Sequence, residues 1–319
     1  VRVKATAIRY RAEYTMVAAV RLTVGLLPDG LGRGLGTLVG AFFYLVDGSH
    51  RRVAIRQLRA AFPLRSTSEC RATARATFAH FGRALVALLK FSTLSTDGIR
   101  RRVEYEGEER MLAALKGGRG VLIFSGHFGF WELQGLAHPL RFPPMHVVVR
   151  PLDNPWLDGF LDRLRRATGN KVIARQGAVR RARRALAANE CVAIMIDQHI
   201  QPKDAVSVEF FNRPAAATAA LASLALRTGA PIVPVFCLPL NHGRYRMIYE
   251  HPVECPAVDA ADPVRELTQR CTDVLEMYVR RHPDLWLWMH RRWRDGEESE
   301  TKGRGMFPAA ASDVEESSV

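Results

Sequence analysis

Long apolar runs are scarce in this chain. The two nearest candidates, Met16 to Leu27 and Leu35 to Val46, fall short of the roughly 20 apolar residues a membrane-spanning helix needs. Arg21 interrupts the first, and Pro28-Asp29-Gly30 ends it. Two readings stay open: a pair of helices lying in a membrane interface with flanking arginines toward the headgroups, or a pair of ordinary core helices. Cysteine is sparse and unpatterned. Cys70, Cys191, Cys237, Cys255 and Cys271 are widely spaced with no C-x2-C pair, which excludes a zinc ribbon and a disulfide framework and fits free thiols in a reducing compartment. No cleavable signal peptide is evident, and no internal repeat. There is no H-E-x-x-H helix for a zinc protease, no G-x-S-x-G elbow around Ser125 and no convincing RNP-type aromatic motif.

Acidic residues are also in deficit. Lys and Arg number 46 against 32 Asp and Glu, leaving a formal charge of +14 on 319 residues. Such a balance suits an anionic membrane surface or an acidic protein partner, and nucleic acid less, given the missing motifs. Hydrophobic residues make up 48% of the chain, enough for one large domain with a helical annex.

The pattern changes along the chain. Up to about residue 105 it is mostly helical: Ile55, Leu58 and Phe62 mark one apolar face, and Phe78, Phe81, Leu85 and Leu88 another. Strands then alternate with helices, the signature of an α/β layer architecture. Strands are expected at 121–124, 145–149, 171–173, 191–196, 206–211, 232–238 and 245–249. Helices are expected at 108–116, 131–137, 155–167, 178–188, 215–227 and 263–281, the last opened by Asp262-Pro263 as cap and first-turn proline. The expected division is a membrane-associating helical region over 1–105, an α/β domain over 106–294 and a polar, disordered tail over 295–319.

One stretch carries a chemical suggestion. Val121 to Leu133 reads VLIFSGHFGFWEL: a buried strand, a glycine-containing turn, then a helix start. His127 sits where the strand ends, with Glu132 five residues on. On a continuous helix they would lie roughly 140° apart, so they meet only if the chain turns between them. A carboxylate on one imidazole nitrogen would fix the tautomer and leave the other nitrogen free to take a proton. The competing interpretation is a histidine and an acid that only cap a helix.

Four further blocks stand out: Arg150-Pro151-Leu152-Asp153-Asn154-Pro155 at the end of a strand, Arg163-x-Arg165-Arg166 within the following helix, Asp197-Gln198-His199 directly after the strand at 191–196, and Trp286 to Trp293. In this order, with Ala-Phe-Pro at 61–63, Phe-Phe-x-Arg-Pro-Ala at 210–215 and Gly-Ala-Pro-Ile-Val-Pro-Val at 229–235, the chain resembles the lipid A late acyltransferases from about residue 15 to 294. The resemblance implies a glycerolipid-acyltransferase-like fold, a central mixed β-sheet flanked by helices. It implies acyl transfer from an acyl carrier protein thioester to a hydroxyl of a lipid A precursor, at the cytoplasmic face of the inner membrane, with no cofactor or metal. The family's catalytic pair maps onto His127 and Glu132. Its essential arginine maps onto Arg165, with Arg163 a near competitor, and its strand-end aspartate onto Asp197, expected to orient Arg165 or Arg150. Arg150 and Arg165 are candidates for acceptor phosphate or oxyanion charge. Phe130 stands where many members have asparagine, and Gln57-Leu58 where Asn-Leu is common, so acyl length and acceptor stay open. Acylation of another glycolipid or a lysophospholipid, from acyl-CoA, is the alternative within the class. A non-catalytic basic protein on a membrane surface is the alternative outside it, and the metal set His127, Glu132 and Asp197 or His199 has the wrong spacing. Trp286 to Trp293 either marks a lipid headgroup boundary or closes the core.

Overall fold

The structure is a computed structural model that describes residues 2–149, 151–174, 177–200 and 205–293. Four helices come first: α1 (Arg2–Leu26), α2 (Asp29–Val46), α3 (Gly48–Ala61) and α4 (Thr67–Phe91), followed by the short α5 (Thr96–Arg100). The sheet elements are β1 (Val103–Glu106), β2 (Val121–Ser125), β3 (Met145–Val149), β4 (Lys171–Ala174), β5 (Cys191–Met195), β8 (Ile232–Pro239) and β9 (Tyr245–Tyr249). Between them run α6 (Glu108–Lys116), α7 (Trp131–Ala137), α8 (Pro155–Arg166), α9 (Ala178–Ala187), a hairpin of β6 (Ala205–Glu209) and β7 (Pro214–Thr218), α10 (Ala220–Thr228) and, after the sheet, α11 (Pro263–Arg281).

The seven strands lie in the order β1-β9-β8-β2-β5-β3-β4. All adjacent pairs are parallel except β8 with β9, so the sheet is mixed, as expected. β2 is central and buried on both faces, which is why it reads as an unbroken apolar run. Its alternation still sorts the residues. Leu122 and Phe124 enter the core shared with α3, α4, α9, α10 and α11, while Val121 and Ile123 enter the one shared with α6, α7 and α8. Phe78 of α4 belongs to the first core, so the helical lead-in is welded to the sheet.

Local signals explain most boundaries. Ser66 and Glu69 form a reciprocal capping box at the start of α4, Ser66 Oγ accepting from Glu69 N at 3.2 Å and Glu69 Oε2 accepting from Ser66 N at 2.7 Å. Asp262 Oδ1 accepts from Arg265 N at 3.0 Å, with Pro263 in the first turn of α11. Helix α2 lies against α4 with backbones nearly touching: a Cβ on Gly82 would meet the Gly36 carbonyl oxygen, and one on Gly40 the Phe78 carbonyl oxygen.

Two strands depart from expectation. β1 begins at Val103, inside the stretch assigned to the helical region, because a short strand of mixed polarity pairs with β9. β7 occupies Pro214 to Thr218, where alanine-rich sequence suggested a helix start; pairing with β6 overrides the helix propensity of alanine, and α10 starts only at Ala220. The expected tail, 295–319, lies outside the described residues.

Candidate active site

Parallel strands set the site. β2 and β5 pair in register, Ser125 opposite Met195, and His127 and Asp197 each lie two residues beyond that pair. Two loops leaving adjacent parallel strands at the same edge thus deliver the two side chains to one point, the position where open α/β sheets place their chemistry. His127 Nδ1 is 2.8 Å from Asp197 Oδ1, and His127 N donates to Asp197 Oδ2 at 2.6 Å. The same Oδ2 accepts from the indole Nε1 of Trp286 at 2.9 Å. Nε2 of His127 has no hydrogen-bond partner among the described residues, and the ring is partly open to solvent.

Glu132 is elsewhere. It makes a two-pronged ion pair with Arg165, Nε to Oε2 at 3.1 Å and Nη2 to Oε1 at 2.5 Å. The direct His127–Glu132 bond expected from H-x4-E is therefore corrected: the turn at 126–130 aims the imidazole at β5, while the first turn of α7 aims the carboxylate at α8. Asp197 likewise bonds His127 and not Arg165. Glu132 still acts on His127 through space. Burial opposes charging the ring, but the charge and hydrogen bond of Asp197, with a further push from Glu132, outweigh it and raise His127 above the ordinary imidazole value. For Asp197 burial pushes upward, yet the charge and hydrogen bonds of His127 and the Trp286 indole hold the carboxyl below its usual range.

The loop that carries His127 is held on three sides. Gly129 has φ +60°, and a Cβ there would collide with the Cys237 carbonyl oxygen of β8. Its N–H donates to Leu285 O at 2.9 Å, and its carbonyl accepts from Nε2 of His80 on α4 at 3.0 Å. Leu287 N donates to His127 O at 3.0 Å, so the segment after α11 straps the loop from outside. That strap is fixed in turn by Gln57, whose Oε1 accepts from Arg292 N at 2.7 Å and whose Nε2 donates to Trp288 O at 2.6 Å. The Trp131 ring stands edge-on to His127 at 5.1 Å.

The Asp-Asn-Pro block positions Arg165 from a distance. Asn154 caps α8, its Oδ1 accepting from Trp156 N at 3.0 Å, while its Nδ2 donates to Tyr10 O and Glu13 Oε2 of α1 at 3.0 and 2.9 Å. Eleven residues on (165 − 154), Arg165 leaves the inner face of that helix. Arg163 lies on its exposed face and is not brought to His127. Arg150 lies outside the described residues. Trp286, Trp288 and Arg292 are buried, which settles the C-terminal block as core and strap. Sequence reasoning missed Trp286 as the second ligand of Asp197, and His80 and Gln57 as supports. The available signal was general: a buried indole N–H needs an acceptor.

Among the described residues no group of three or more His, Cys, Asp or Glu is arranged to hold a metal. The arrangement does supply a basic imidazole nitrogen of fixed tautomer and, held on the Glu132 whose charge acts on that ring, a permanently charged guanidinium with donors beyond those on Glu132.

Comparison with known proteins points one way. The family described as bacterial lipid A biosynthesis acyltransferase matches residues 3–295. The lipid A biosynthesis lauroyltransferase of Escherichia coli is 27% identical over 266 residues, 83% of this chain and 84% of that protein. A phosphatidylinositol mannoside acyltransferase of Mycobacterium tuberculosis is 25% identical over 226 residues, 68% of this chain and 69% of its own length. Among solved structures, the 1-acyl-sn-glycerophosphate (LPA) acyltransferase PlsC of Thermotoga maritima aligns with a TM-score of 0.36 at 15% identity, over 78% of this chain and 96% of that one. With a family match running through every element from α1 to the Trp286–Trp293 strap, the chain belongs to the bacterial lipid A biosynthesis acyltransferases and is an acyl-transferring enzyme.

Proposed function

We propose that the enzyme moves a fatty acyl chain from an acyl carrier protein thioester to a hydroxyl of a lipid A precursor, with His127 as general base. The observation that carries the reading is the Asp197–His127 contact at 2.8 Å with Nε2 left open. The acceptor oxygen attacks the thioester carbonyl as Nε2 takes its proton. The carbon–sulfur bond then breaks, and the leaving thiolate recovers that proton from the imidazolium. Asp197 holds the ring with its proton on Nδ1 and stabilises the cation that forms, the part expected of Glu132 from the H-x4-E spacing. Glu132 fixes Arg165, whose remaining donors face the negative charge developing on the carbonyl oxygen.

Two surfaces support the partners. Arg180, Arg181, Arg183 and Arg184 are all exposed on α9, while Ala182, Ala185 and Leu186 face the core; that cationic face suits an acidic carrier protein. Leu31, Leu38, Phe42 and Leu45 are exposed along one side of α2, and Met16 and Leu22 on α1. No helix among the described residues is long and apolar enough to cross a membrane. We place these helices in the headgroup region of the cytoplasmic leaflet of the inner membrane, as a peripheral contact. The test is transfer of a labelled acyl chain from carrier protein to lipid: wild type transfers and His127→Ala does not. Equal transfer by the variant refutes the role of His127, and transfer from acyl-CoA at the same efficiency refutes the carrier donor.

A further inference from the structure

Three side chains with hydrogen-bond donors that acyl transfer does not use, Arg33, Arg83 and Tyr245, lie between α2, α4 and the start of β9, with Thr37 as a link whose hydroxyl donates to Arg33 O at 3.0 Å. Arg83 of α4 is half-buried, and its Nη1 donates to Thr37 Oγ1 of α2 at 3.4 Å. Arg33 lies one turn before Thr37 on the same helix, close enough that its charge acts on Arg83: burial, then repulsion from Arg33, lowers the proton affinity of Arg83. Both guanidinium groups also act on the phenol of Tyr245. The Tyr245 ring is wedged between Phe91 and Phe130, at 5.6 and 5.1 Å, and its hydroxyl makes no hydrogen bond among the described residues.

Among the described residues this positive charge has no ion-pair partner. Among the described residues no carboxylate lies within 4.0 Å of Arg33 or Arg83. Asp284 is felt by Arg83 without bridging to it. Asp29, at the start of α2, is already engaged by Lys90 at 2.5 Å and Arg102 at 3.3 Å. Two like charges held together, beside a hydroxyl with no partner, are stabilised by an anion that accepts from all of them. The surroundings say what kind of anion. Leu31, Leu38 and Phe42 are exposed on the same helix, so the ligand combines an anionic group with apolar surface. The location ties it to the reaction: Phe130, in contact with Tyr245, lies between His127 and Glu132, and His80, one turn before Arg83, supports the Gly129 carbonyl.

We propose that Arg33, Arg83 and Tyr245 form a phosphate subsite for the acceptor, gripping a phosphate ester on the lipid headgroup while a hydroxyl elsewhere on that headgroup reaches His127. The identity of the ligand as the acceptor rests on the glycolipid-acylation reading above; the anion site itself does not. Specificity follows from it, because a lipid without the phosphate leaves the two guanidinium groups without an anionic acceptor.

The experiment compares a phosphorylated glycolipid with the same lipid after phosphatase treatment, in non-ionic detergent, by equilibrium binding and by acyl transfer. Wild type binds the phosphorylated lipid at least about tenfold more tightly than the dephosphorylated one. Arg33→Gln with Arg83→Gln abolishes that difference, raising KM for the phosphorylated acceptor with kcat within about threefold. Arg227→Gln, an exposed site on α10, leaves both lipids unaffected. Arg33→Gln alone, at an exposed position that keeps the fold, shows a partial effect, and Arg83→Lys keeps the charge but loses part of the discrimination because the fork is gone. Equal binding of the two lipids by wild type overturns the proposal, as does an equal loss for both lipids in the double variant. Inorganic phosphate bound as tightly as the lipid assigns the site to a free anion and overturns it too. His127→Ala separates the two readings: it retains the phosphate discrimination in binding and loses transfer. A wild-type enzyme that discriminates in binding yet transfers no acyl chain refutes the catalytic reading alone.

Discussion

Replacing Asp197 with asparagine tests the His–Asp contact at the level of single atoms. Oδ2 accepts two fixed donors, the His127 backbone N–H at 2.6 Å and the Trp286 indole at 2.9 Å. In Asp197→Asn the amide oxygen must occupy that place, since the amide nitrogen would face two donors with none to accept from it. The amide nitrogen then falls where Oδ1 was, 2.8 Å from Nδ1 of His127, and donates to it. Nδ1 becomes an acceptor, so the proton moves to Nε2, the nitrogen required as base. The predicted loss in kcat/KM is about a thousandfold or more, or ~4 kcal/mol of barrier at roughly 1.4 kcal/mol per decade. The pH profile adds a second readout. In wild type His127 is held above its ordinary value, so kcat/KM rises with pH through an apparent value above 6.5. Loss of the Asp197 charge moves any residual activity to a lower apparent value. Glu132→Gln contrasts with this: it weakens the hold on Arg165, costs about ten- to a hundredfold in kcat, and shifts the profile less. Acyl transfer under kcat/KM conditions across the pH range, with thermal unfolding as a check on the fold, decides the matter. Asp197→Asn within tenfold of wild type with an unmoved profile, or a larger profile shift in Glu132→Gln, refutes the assignment of Asp197 as the orienting acid.

Trp286→Phe removes one donor from Oδ2 but leaves the pair intact; the carboxylate becomes a better partner for the imidazolium, so the acid limb of the rate profile moves to higher pH, and an unmoved limb rejects this role. Gly129→Ala places a Cβ against the Cys237 carbonyl at a left-handed φ, so we expect a loss of about 3 kcal/mol or more in denaturant unfolding, together with activity; native stability counts against the loop geometry. His80 and His138 are buried and lowered to about 4, chiefly by desolvation. The unfolded chain therefore binds their protons first, and their contribution, on the order of 3 kcal/mol each at most, is present above pH ~6.5 and lost as pH falls toward 4. His138→Gln removes one such group, so its stability declines less steeply with acid than that of wild type; parallel decline contradicts the assignment. Arg180→Glu with Arg184→Glu lowers kcat/KM for the carrier-bound donor, with a deficit that shrinks as salt rises, and spares a short thioester mimic; equal losses on both make α9 ordinary surface.

Sequence alone determined the local elements and the inventory of reactive groups. The apolar run at 121–125, the capped start at Asp262-Pro263 and the turn around His127 are short-range signals, written within a few residues and carried intact into the fold. The ordered blocks also identified the family, because their chemistry recurs as a set. Tertiary structure decided who bonds to whom. His127 and Glu132 are five residues apart (132 − 127) and look like partners, yet the bond goes to Asp197, seventy residues away (197 − 127). The reason is topological: strand order places β5 beside β2, and a register of Ser125 on Met195 brings two strand ends together, a fact that no local periodicity encodes. The same holds for β7, where pairing with β6 overrode alanine's helical preference, and for Trp286, whose indole meets Asp197 only because the strap after α11 returns across the His127 loop. The sequence names the groups and the local turns. The packing of non-adjacent strands and helices selects the pairs, because side-chain electrostatics acts over a few ångströms in space whatever the separation along the chain.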